Sequence, residues 1–495
     1  MKKLITLCFV GISALWLRAD EIDDFMKKAG NDLQGFVEAA DKEMETFRQQ
    51  MNREYAEFLS KPWTFKLITP ADIKPNEEPV PPLVIPREDN PTPLKDTPII
   101  IPVAPPTPVP RPAPTPPAPI LQPVPQQTPL FVDVMLYGTK FEVPCSGHVD
   151  VPLRGVSPEV VSVCWSAMAD NVEIDRAILG ILSIRDNSNL PDWMVFKLVR
   201  TFAQKVTDGD NTARVLEGYI LTQAGYDVRF AQANSRLYSM VAFDEIILER
   251  SDYYEVNGRH YFPFETTPDR LYIMDMSYPN TSPMRLGINH LPLLASGIIQ
   301  NHTVTAVHYP SVVCNYTTDG NLMKFFEDYP VGTVSMGNYN IWGKYAMTPL
   351  SVNVLNKIYP TLRHAIAGKS QRDAANIIID FVESFPYEYD DKMWGHDRAF
   401  FPEETLHYHK SDCEDHAILF VRIVNDLMHL PTALIHYPGH LAAAVSFTEP
   451  INGSYIMVDG RKFTVCDPTI FYAGIGTTMP KMDNAKARLI VMPKF

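Results

Sequence analysis

A cysteine with the local features of a nucleophile lies near the C-terminus of the chain. Cys413 stands between Ser411 and Glu414, which form a Ser-x-x-Glu capping box directly before an apolar run. The pattern predicts a helix with Ser411 as its N-cap and Cys413 as its second residue. Free amides and the positive end of the helix dipole favour a thiolate at that place. The carboxylates of Asp412, Glu414 and Asp415 oppose this effect, so a cationic histidine partner is needed.

A histidine and an aspartate downstream could complete a set of nucleophile, base and orienter. His440 follows the turn-forming pair Pro438-Gly439 and opens a predicted strand of small residues, which leaves room around the imidazole. The next strand ends at Asp459-Gly460, a strong hairpin signal, and the returning strand leads to Asp467. Asp467 is therefore expected beside His440 on a neighbouring strand. There it would accept the Nδ1 proton and fix the tautomer.

Five short motifs of the C-terminal region are Asp412-Cys413-Glu414-Asp415, Gly439-His440, Asp467-Pro468-Thr469, Phe385-Pro386-Tyr387 and Pro402-Glu403-Glu404-Thr405-Leu406. As a set they resemble the transglutaminase-like superfamily of papain-like cysteine enzymes, in particular exported bacterial members. The resemblance implies an α+β fold with a papain-like transglutaminase core over 301–495. It also implies acyl-thioester chemistry on an amide, with Cys413 as nucleophile, His440 as base and Asp467 as orienter. The superfamily includes proteases, deamidases, amidases and cross-linking enzymes, so the substrate stays open.

Two alternatives remain open around the cysteine. The side chain that would stabilise the oxyanion is unassigned, and Trp394 and His396 are candidates by position. A zinc site is a different interpretation, although its ligands lack a second pair at the usual spacing. Its ligands would be His407, His409, Cys413 and His416. The triad is the favoured interpretation, with no cofactor and no metal.

The middle of the chain echoes the C-terminal region at an offset of 202 residues. Asp210-Asn211 opens a predicted helix, as Asp412-Cys413 does. Gly258-Arg259-His260-Tyr261 parallels Gly460-Arg461-Lys462-Phe463. These matches predict a second copy of the same domain.

The second copy lacks the nucleophile. Arg236 falls near the place of His440, and Glu265 falls at the place of Asp467. Residues 131–300 are therefore expected to form a degenerate transglutaminase-like domain. An asparagine amide cannot form a thioester, so this domain could bind a substrate or partner but not turn it over by this route.

Hydrophobic periodicity predicts the main elements of both regions. Helices are expected over 192–204, 212–224, 350–366, 371–385 and 412–429, and strands over 131–151, 228–272 and after the last helix.

The N-terminus has the pattern of an export signal. Lys2 and Lys3 precede a short apolar run, and Ala19 is a small residue suited to cleavage. Residues 1–19 are therefore expected to be a signal peptide, and the mature protein to be periplasmic or secreted. Five cysteines would remain, an odd number that leaves at least one thiol outside intramolecular disulfides.

Two further segments precede the domains. Residues 20–62 carry an eleven-residue repeat, marked by a phenylalanine at 25, 36, 47 and 58, which predicts one amphipathic helix. Its apolar stripe is expected to dock on the same chain or to self-associate, with partner binding as the alternative. Residues 63–130 are predicted to be a proline-rich linker, because 22 of the 44 prolines lie within 70–129.

Composition limits the possible partners. The net charge is −14 and the pI is near 5.4, without a basic cluster, which argues against nucleic acid. No later apolar run reaches the roughly 20 residues of a transmembrane helix. The sequence thus predicts an exported cysteine enzyme, most simply a protease or amidase acting on a peptide or protein. The alternatives are a cross-linking acyltransferase and a non-catalytic scaffold protein.

Overall fold

The computed structural model describes residues 42–70, 79–85, 94–101, 107–108, 130–244, 247, 252–330, 340–396, 398–408 and 410–493. Helices and antiparallel sheets both contribute to it, which confirms the α+β class. The predicted signal peptide and the first part of the predicted helix over 20–62 lie outside the described residues. No helix in the described ranges is both long enough and apolar enough to cross a bilayer.

The helices lie where their caps and periodicity place them. In chain order they are α1 (42–59), α2 (Pro158–Ala169), α3 (Val172–Asn187), α4 (Asp192–Val206), α5 (Asp210–Gln223), α6 (Gly320–Glu327), α7 (Asn340–Met347), α8 (Val352–Ile366), α9 (Gln371–Glu383), α10 (Asp390–Met393), α11 (Pro402–Tyr408) and α12 (Cys413–Met428). Five of the predicted helices are confirmed as α4, α5, α8, α9 and α12. Helices α2 and α3 were not predicted, although Ser157 and Asn171 cap them through their side chains.

The strands include several of only two residues. In chain order they are β1 (Thr64–Leu67), β2 (Thr69–Pro70), β3 (Leu83–Val84), β4 (Thr97–Pro98), β5 (Thr107–Pro108), β6 (Phe131–Leu136), β7 (Thr139–Pro144), β8 (Val228–Ala233), β9 (Arg236–Phe243), β10 (Asp252–Val256), β11 (Arg259–Phe262), β12 (Arg270–Ile273), β13 (Ile299–Thr305), β14 (Val313–Asp319), β15 (Thr432–Tyr437), β16 (His440–Val445), β17 (Ser454–Val458), β18 (Arg461–Cys466), β19 (Ile470–Phe471) and β20 (Arg488–Val491).

One arrangement of elements occurs twice along the chain. The first half begins with the hairpin β6–β7 and the second with the hairpin β13–β14. Each half ends in an antiparallel five-stranded sheet, with the order β12-β8-β9-β11-β10 in the first and β20-β15-β16-β18-β17 in the second. The helix directly before each sheet packs on the matching strand, α5 on β9 and α12 on β16. The two halves therefore share one topology.

Residues 64–70 close the first sheet. Strand β1 pairs with β12 and β2 pairs with β10, and these are the two edges of the five-stranded sheet. Since β1 and β2 are almost continuous, they join the two edges, and Ile68 packs against the apolar cluster that the sheet encloses. The predicted start of a linker at residue 63 is therefore wrong, because residues 64–70 belong to the first sheet.

The described parts of the proline-rich region pair with the second half. Strand β4 runs parallel to β17, β5 runs parallel to β20, and β3 runs parallel to β19. Proline is tolerated at such places because an edge strand needs only part of its amides. The prediction of a proline-rich linker over 63–130 is thus wrong for residues 79–85, 94–101 and 107–108, which pair with the second half.

Helix α1 docks on the first half through part of the predicted stripe, to which Tyr55 also belongs. Tyr55 is buried and its ring lies 4.8 Å from that of Trp165. Arg48 is also buried and pairs with Asp175 at 2.9 Å. Phe47, a stripe residue, is instead 50% exposed. Docking on the same chain therefore covers the stripe at Tyr55 and partly at Phe58, and leaves it exposed at Phe47.

Candidate active site

The N-terminus of α12 is capped by aspartates. Asp412 is the N-cap and Cys413 is the first helical residue. The Asp415 carboxylate accepts the Asp412 amide at 3.2 Å and the Phe400 amide at 2.7 Å. The predicted Ser411–Glu414 capping box is wrong, since the Ser411 hydroxyl is buried without a hydrogen-bond partner in the described part of the chain. The cysteine lies one position nearer the helix end than predicted.

The Cys413 thiol is neutral in this arrangement. Its side chain is buried, and the thiol donates to Glu414 Oε2 at 3.1 Å. Burial raises the pKa of the Cys413 thiol well above its usual value, and the charges of Glu414 and Asp412 raise it further, while the Leu441 amide opposes them. Burial and the two carboxylates together thus outweigh the Leu441 amide.

His440 and Asp467 form a buried pair at the ends of adjacent strands. His440 Nε2 lies 2.7 Å from Asp467 Oδ2. The other carboxylate oxygen of Asp467 accepts the Thr469 amide at 3.1 Å and the Thr469 hydroxyl at 2.6 Å. Burial raises the pKa of Asp467, but His440 and Thr469 outweigh it, so the pKa lies below its usual value. The predicted pairing of the two residues is present, and the three contacts fix the carboxylate.

The nitrogen that faces the aspartate is not the predicted one. The expectation was a contact through Nδ1, whereas the structure uses Nε2. Nδ1 of His440 is buried and has no hydrogen-bond partner among the described residues. The nitrogen left for proton transfer is therefore Nδ1.

The sulfur and the imidazole are neighbours without a direct bond. Helix α12 packs on β16, and the amide of Leu441, the residue after His440, lies close enough to lower the pKa of Cys413. In the described ranges, however, no hydrogen bond joins Cys413 to His440. The three predicted residues thus lie at the start of one helix, at the start of β16 and directly after β18, with His440 bound to Asp467 and Cys413 bound to Glu414.

Tyr387 is a site residue that sequence reasoning used only as part of a motif. Its neighbour Glu388 donates its amide to the Ser411 carbonyl at 3.0 Å, so this segment lies along the approach to α12. The Tyr387 hydroxyl is buried and lacks a hydrogen-bond partner in the described part of the protein. Burial raises the pKa of Tyr387, and the charges of Cys413 and Asp412 raise it further. It is a neutral donor near the thiol, a property that residue type alone did not reveal.

His416, which the sequence suggested only as a zinc ligand, is also part of the site. It lies on α12, is completely buried, and burial lowers its pKa to about 4 despite the nearby Asp467. Its ring is 6.2 Å from those of Tyr387 and Phe471. His416 is therefore neutral and fills the space between the helix and the aspartate.

The two oxyanion candidates lie in another cluster. Trp394 is half-buried against Phe400 and Tyr408, with ring centroids 5.8 and 5.1 Å away, and its indole N–H is buried without a partner among the described residues. His396 is exposed and its Nδ1 lies 3.1 Å from the Trp394 carbonyl. In the described ranges, no hydrogen bond links either residue to Cys413.

The zinc hypothesis does not fit the geometry. His407 Nδ1 contacts the Thr318 hydroxyl at 2.7 Å, while His416 lies by Asp467. Within the described ranges, the groups that could hold a metal are Asp412–Cys413–Glu414 and Asp390–Asp412–Asp415, without a histidine. The prediction of a zinc site that uses both His407 and His416 is therefore wrong. His409 lies outside the described residues.

The first half presents other residues at the equivalent places. Asn211 Oδ1 accepts the Leu237 amide at 2.8 Å, as the Cys413 sulfur faces the amide of Leu441. Arg236 and Glu265 pair at 3.1 Å. Glu265 also accepts a hydrogen bond from the Arg214 guanidinium, which forms an ion pair with it. A guanidinium cannot act as a base, so this place holds an ion network without a nucleophile or base.

Comparison with models of known protein families finds no match, and comparisons with curated proteins and with solved structures find no significant match.

Proposed function

We propose that this chain is an exported cysteine hydrolase of the transglutaminase-like type, with a papain-like core in its second half. It would cleave a peptide or other amide bond through a thioester on Cys413. The observation that carries the proposal is the buried His440–Asp467 pair at 2.7 Å, with its free Nδ1, next to a cysteine at the first position of a helix. Such a set is the arrangement that thiol catalysis needs.

Each step of the proposed reaction has a group on this chain. His440 Nδ1 takes the proton from the Cys413 thiol, and the thiolate attacks the substrate carbonyl carbon. The imidazolium is stabilised by Asp467, which Thr469 holds in place. The proton then passes to the leaving amine, which departs as the thioester forms. Water, deprotonated by the same nitrogen, attacks the thioester, releases the acid and restores the thiol.

The Leu441 amide and the Tyr387 hydroxyl are the donors that could face the oxyanion. The amide already lies close to the sulfur, and the hydroxyl has no other hydrogen bond in the described ranges. A preorganised donor of this kind contributes roughly 3–4 kcal/mol to transition-state stabilisation. Tyr387 replaces Trp394 and His396 as the proposed side-chain donor.

Hydrolysis is proposed over cross-linking as the simpler reaction, since water can resolve the thioester without a binding site for an amine. Transfer to an amine would use the same thioester and differs only in the second nucleophile. The first half would serve this enzyme as a degenerate copy, since Asn211 and Arg236 hold the places of Cys413 and His440. It would contribute binding and not turnover.

Thiol labelling tests the proposal directly. In a variant that exposes the site, iodoacetamide should modify Cys413 faster at pH 6 than a free cysteine reacts, and adding His440→Ala should abolish the excess. Mass spectrometry of the digested protein assigns the label, since the four other described cysteines are also buried. The matched control is His396→Ala, an exposed histidine on the same half, which should label like the parent.

A non-catalytic scaffold is the second candidate, and one observation favours it. The thiol donates to Glu414, and its pKa is raised, so the arrangement seen is not the reactive one. If Cys413 labels no faster than a free thiol in every variant that exposes it, the scaffold interpretation replaces the enzyme.

A further inference from the structure

A short proline-rich segment is bound beside the candidate triad. Residues 79–85, here called the strap, read Pro79-Val80-Pro81-Pro82-Leu83-Val84-Ile85. Three of the strap's backbone amides donate to carbonyls of the second half. Val80 binds the Gly439 carbonyl at 2.9 Å, Leu83 binds that of Thr469 at 3.1 Å, and Ile85 binds that of Phe471 at 3.1 Å.

Each of the first two acceptors adjoins a triad residue. Gly439 directly precedes His440, and Thr469 supplies two hydrogen bonds to the Asp467 carboxylate. The strap therefore runs along the edge that carries both the base and the orienter. His440 is 3% exposed and Cys413 5% in this state.

The contacts do not depend on the identity of the strap side chains. All three bonds come from the backbone, and β3 pairs with β19 as an added parallel strand. Peptide recognition by strand addition has this form, with affinity from the main chain and selectivity from alternate side chains. Leu83 is half-buried while Val84 is 58% exposed, so alternate positions of the strap face the protein.

The strap is also anchored beyond its end. The Thr97 amide binds the Gly453 carbonyl at 3.1 Å, the Ile99 amide binds the Tyr455 carbonyl at 2.8 Å, and Asp96 pairs with Lys462 at 2.7 Å. This attachment keeps the strap at a high effective concentration near the edge. A weakly binding sequence can therefore hold the place against peptides in solution.

We propose that the edge formed by Gly439 and residues 469–471 is the peptide-binding groove of this protein, and that the strap occupies it in cis as a substrate-like segment. The ligand class is an extended, uncharged, proline-rich peptide with apolar residues at alternate positions. What happens to a bound peptide rests on the proposed thiol chemistry, but its binding does not. The groove opens when the strap leaves, and the triad then becomes accessible.

Proline substitutions in the full chain test the groove, because they remove amide donors and preserve an extended backbone. The variant carries Val80→Pro, Leu83→Pro and Ile85→Pro. The probe is a fluorescein-labelled peptide of strap sequence, followed by anisotropy in a Cys413→Ala background. We expect at least tenfold tighter binding to the triple variant than to the parent. The matched control is Val84→Pro, which leaves the three donors in place and should bind as weakly as the parent.

The outcomes distinguish peptide binding in the groove from thiol chemistry at Cys413. A peptide with aspartate in place of Leu83 should bind about tenfold more weakly to the triple variant. Should the triple variant lose its circular dichroism spectrum, Val80→Pro alone is measured, with an expected gain of about threefold. A folded variant that binds the peptide no better than the parent overturns the proposal. Peptide binding without rapid Cys413 labelling in the same variant with its cysteine restored keeps the groove and rejects the enzyme.

Discussion

Glu383 accepts the backbone amide of Tyr472 at 2.9 Å, which ties the end of α9 to the segment directly after β19. Its other carboxylate oxygen is buried without a partner in the described part of the chain. Burial raises the pKa of Glu383 to about 8, and the charges of Asp380 and Asp467 add to the effect, although the Tyr472 amide opposes it. Glu383 is thus protonated at neutral pH, next to the segment whose Phe471 carbonyl binds the strap.

The buried Glu383 carboxyl group should make the folded protein less stable as pH rises. Between the ordinary glutamate pKa of 4.5 and about 8, the folded protein holds one proton that the unfolded chain has lost. The free energy of unfolding should therefore fall by up to about 1.4 kcal/mol per pH unit across that range. Glu383→Gln copies the protonated form and should remove this slope. Urea unfolding at pH 5, 6.5 and 8 measures it.

The control for this experiment is Glu57→Gln, an exposed glutamate on α1. It should leave the pH dependence of the parent unchanged. Equal slopes for the parent and Glu383→Gln would show that the carboxyl group titrates near its ordinary pKa in the folded protein.

The hydrogen bond between His440 and the buried Asp467 carboxylate should stabilise the fold. The pKa of Asp467 is lower in the folded protein than in the unfolded chain. The ionised carboxylate therefore stabilises the fold fully above the unfolded-state pKa, and this stabilisation is lost as pH falls through the folded-state pKa. His440→Ala leaves the carboxylate buried and should cost about 3–5 kcal/mol at pH 7. The cost should shrink at lower pH, because Asp467 then takes up a proton. Urea unfolding of the two single variants and the double variant with Asp467→Asn gives the coupling energy.

Adding Asp467→Asn should recover much of the stability lost in His440→Ala, since it removes the unpaired charge. Additive losses in the double variant would mean that the two side chains do not interact across the 2.7 Å contact.

Asn211, which holds the place of Cys413 in the first half, should have a structural role. Asn211 accepts the Leu237 amide at 2.8 Å and donates to the Ser235 carbonyl at 2.9 Å. Asn211→Ala leaves both backbone groups without their partner and should lower the free energy of unfolding by about 1–3 kcal/mol. The exposed Asn187→Ala should change it by less than about 0.5 kcal/mol. Cys413 labelling should be the same in both, and a fall in labelling for Asn211→Ala alone would give the first half a role in the reaction.

Local patterns predicted the parts of the site that depend on neighbours in sequence. The Asp459-Gly460 hairpin pairs β17 with β18, as its turn chemistry predicts. Strand β18 also lies directly beside β16, with Ala443 opposite Cys466, and the turn alone does not determine this second pairing. Local sequence patterns could not decide whether Ser411 or Asp412 is the N-cap of α12. Asp390 and Asp415 contribute to a buried acidic group that spans two helices, α10 and α12, and only the fold brings these together.

The other differences between prediction and structure come from contacts between residues far apart in the sequence. Nothing in the residues around His440 indicates which ring nitrogen meets Asp467, because the choice depends on how two strands from separate hairpins are offset. The pairing of Val80 with Gly439 joins positions more than three hundred residues apart. A proline-rich composition predicts an extended chain equally well whether that chain is free or bound along a sheet edge.

In helix α1, too, contacts with distant residues decide which side chains are buried. Apolar spacing favoured Phe47 as a buried position, but the buried neighbour is Arg48, whose guanidinium meets Asp175 with contacts of 2.9 and 3.0 Å. Arg48→Ala leaves that carboxylate without its partner and should cost about 3 kcal/mol. Arg53→Ala, at an exposed position of the same helix, should cost less than about 0.5 kcal/mol. Limited proteolysis should then cut within 42–59 much faster in Arg48→Ala than in Arg53→Ala, and equal rates would mean that apolar contacts around Tyr55 hold the helix without the ion pair.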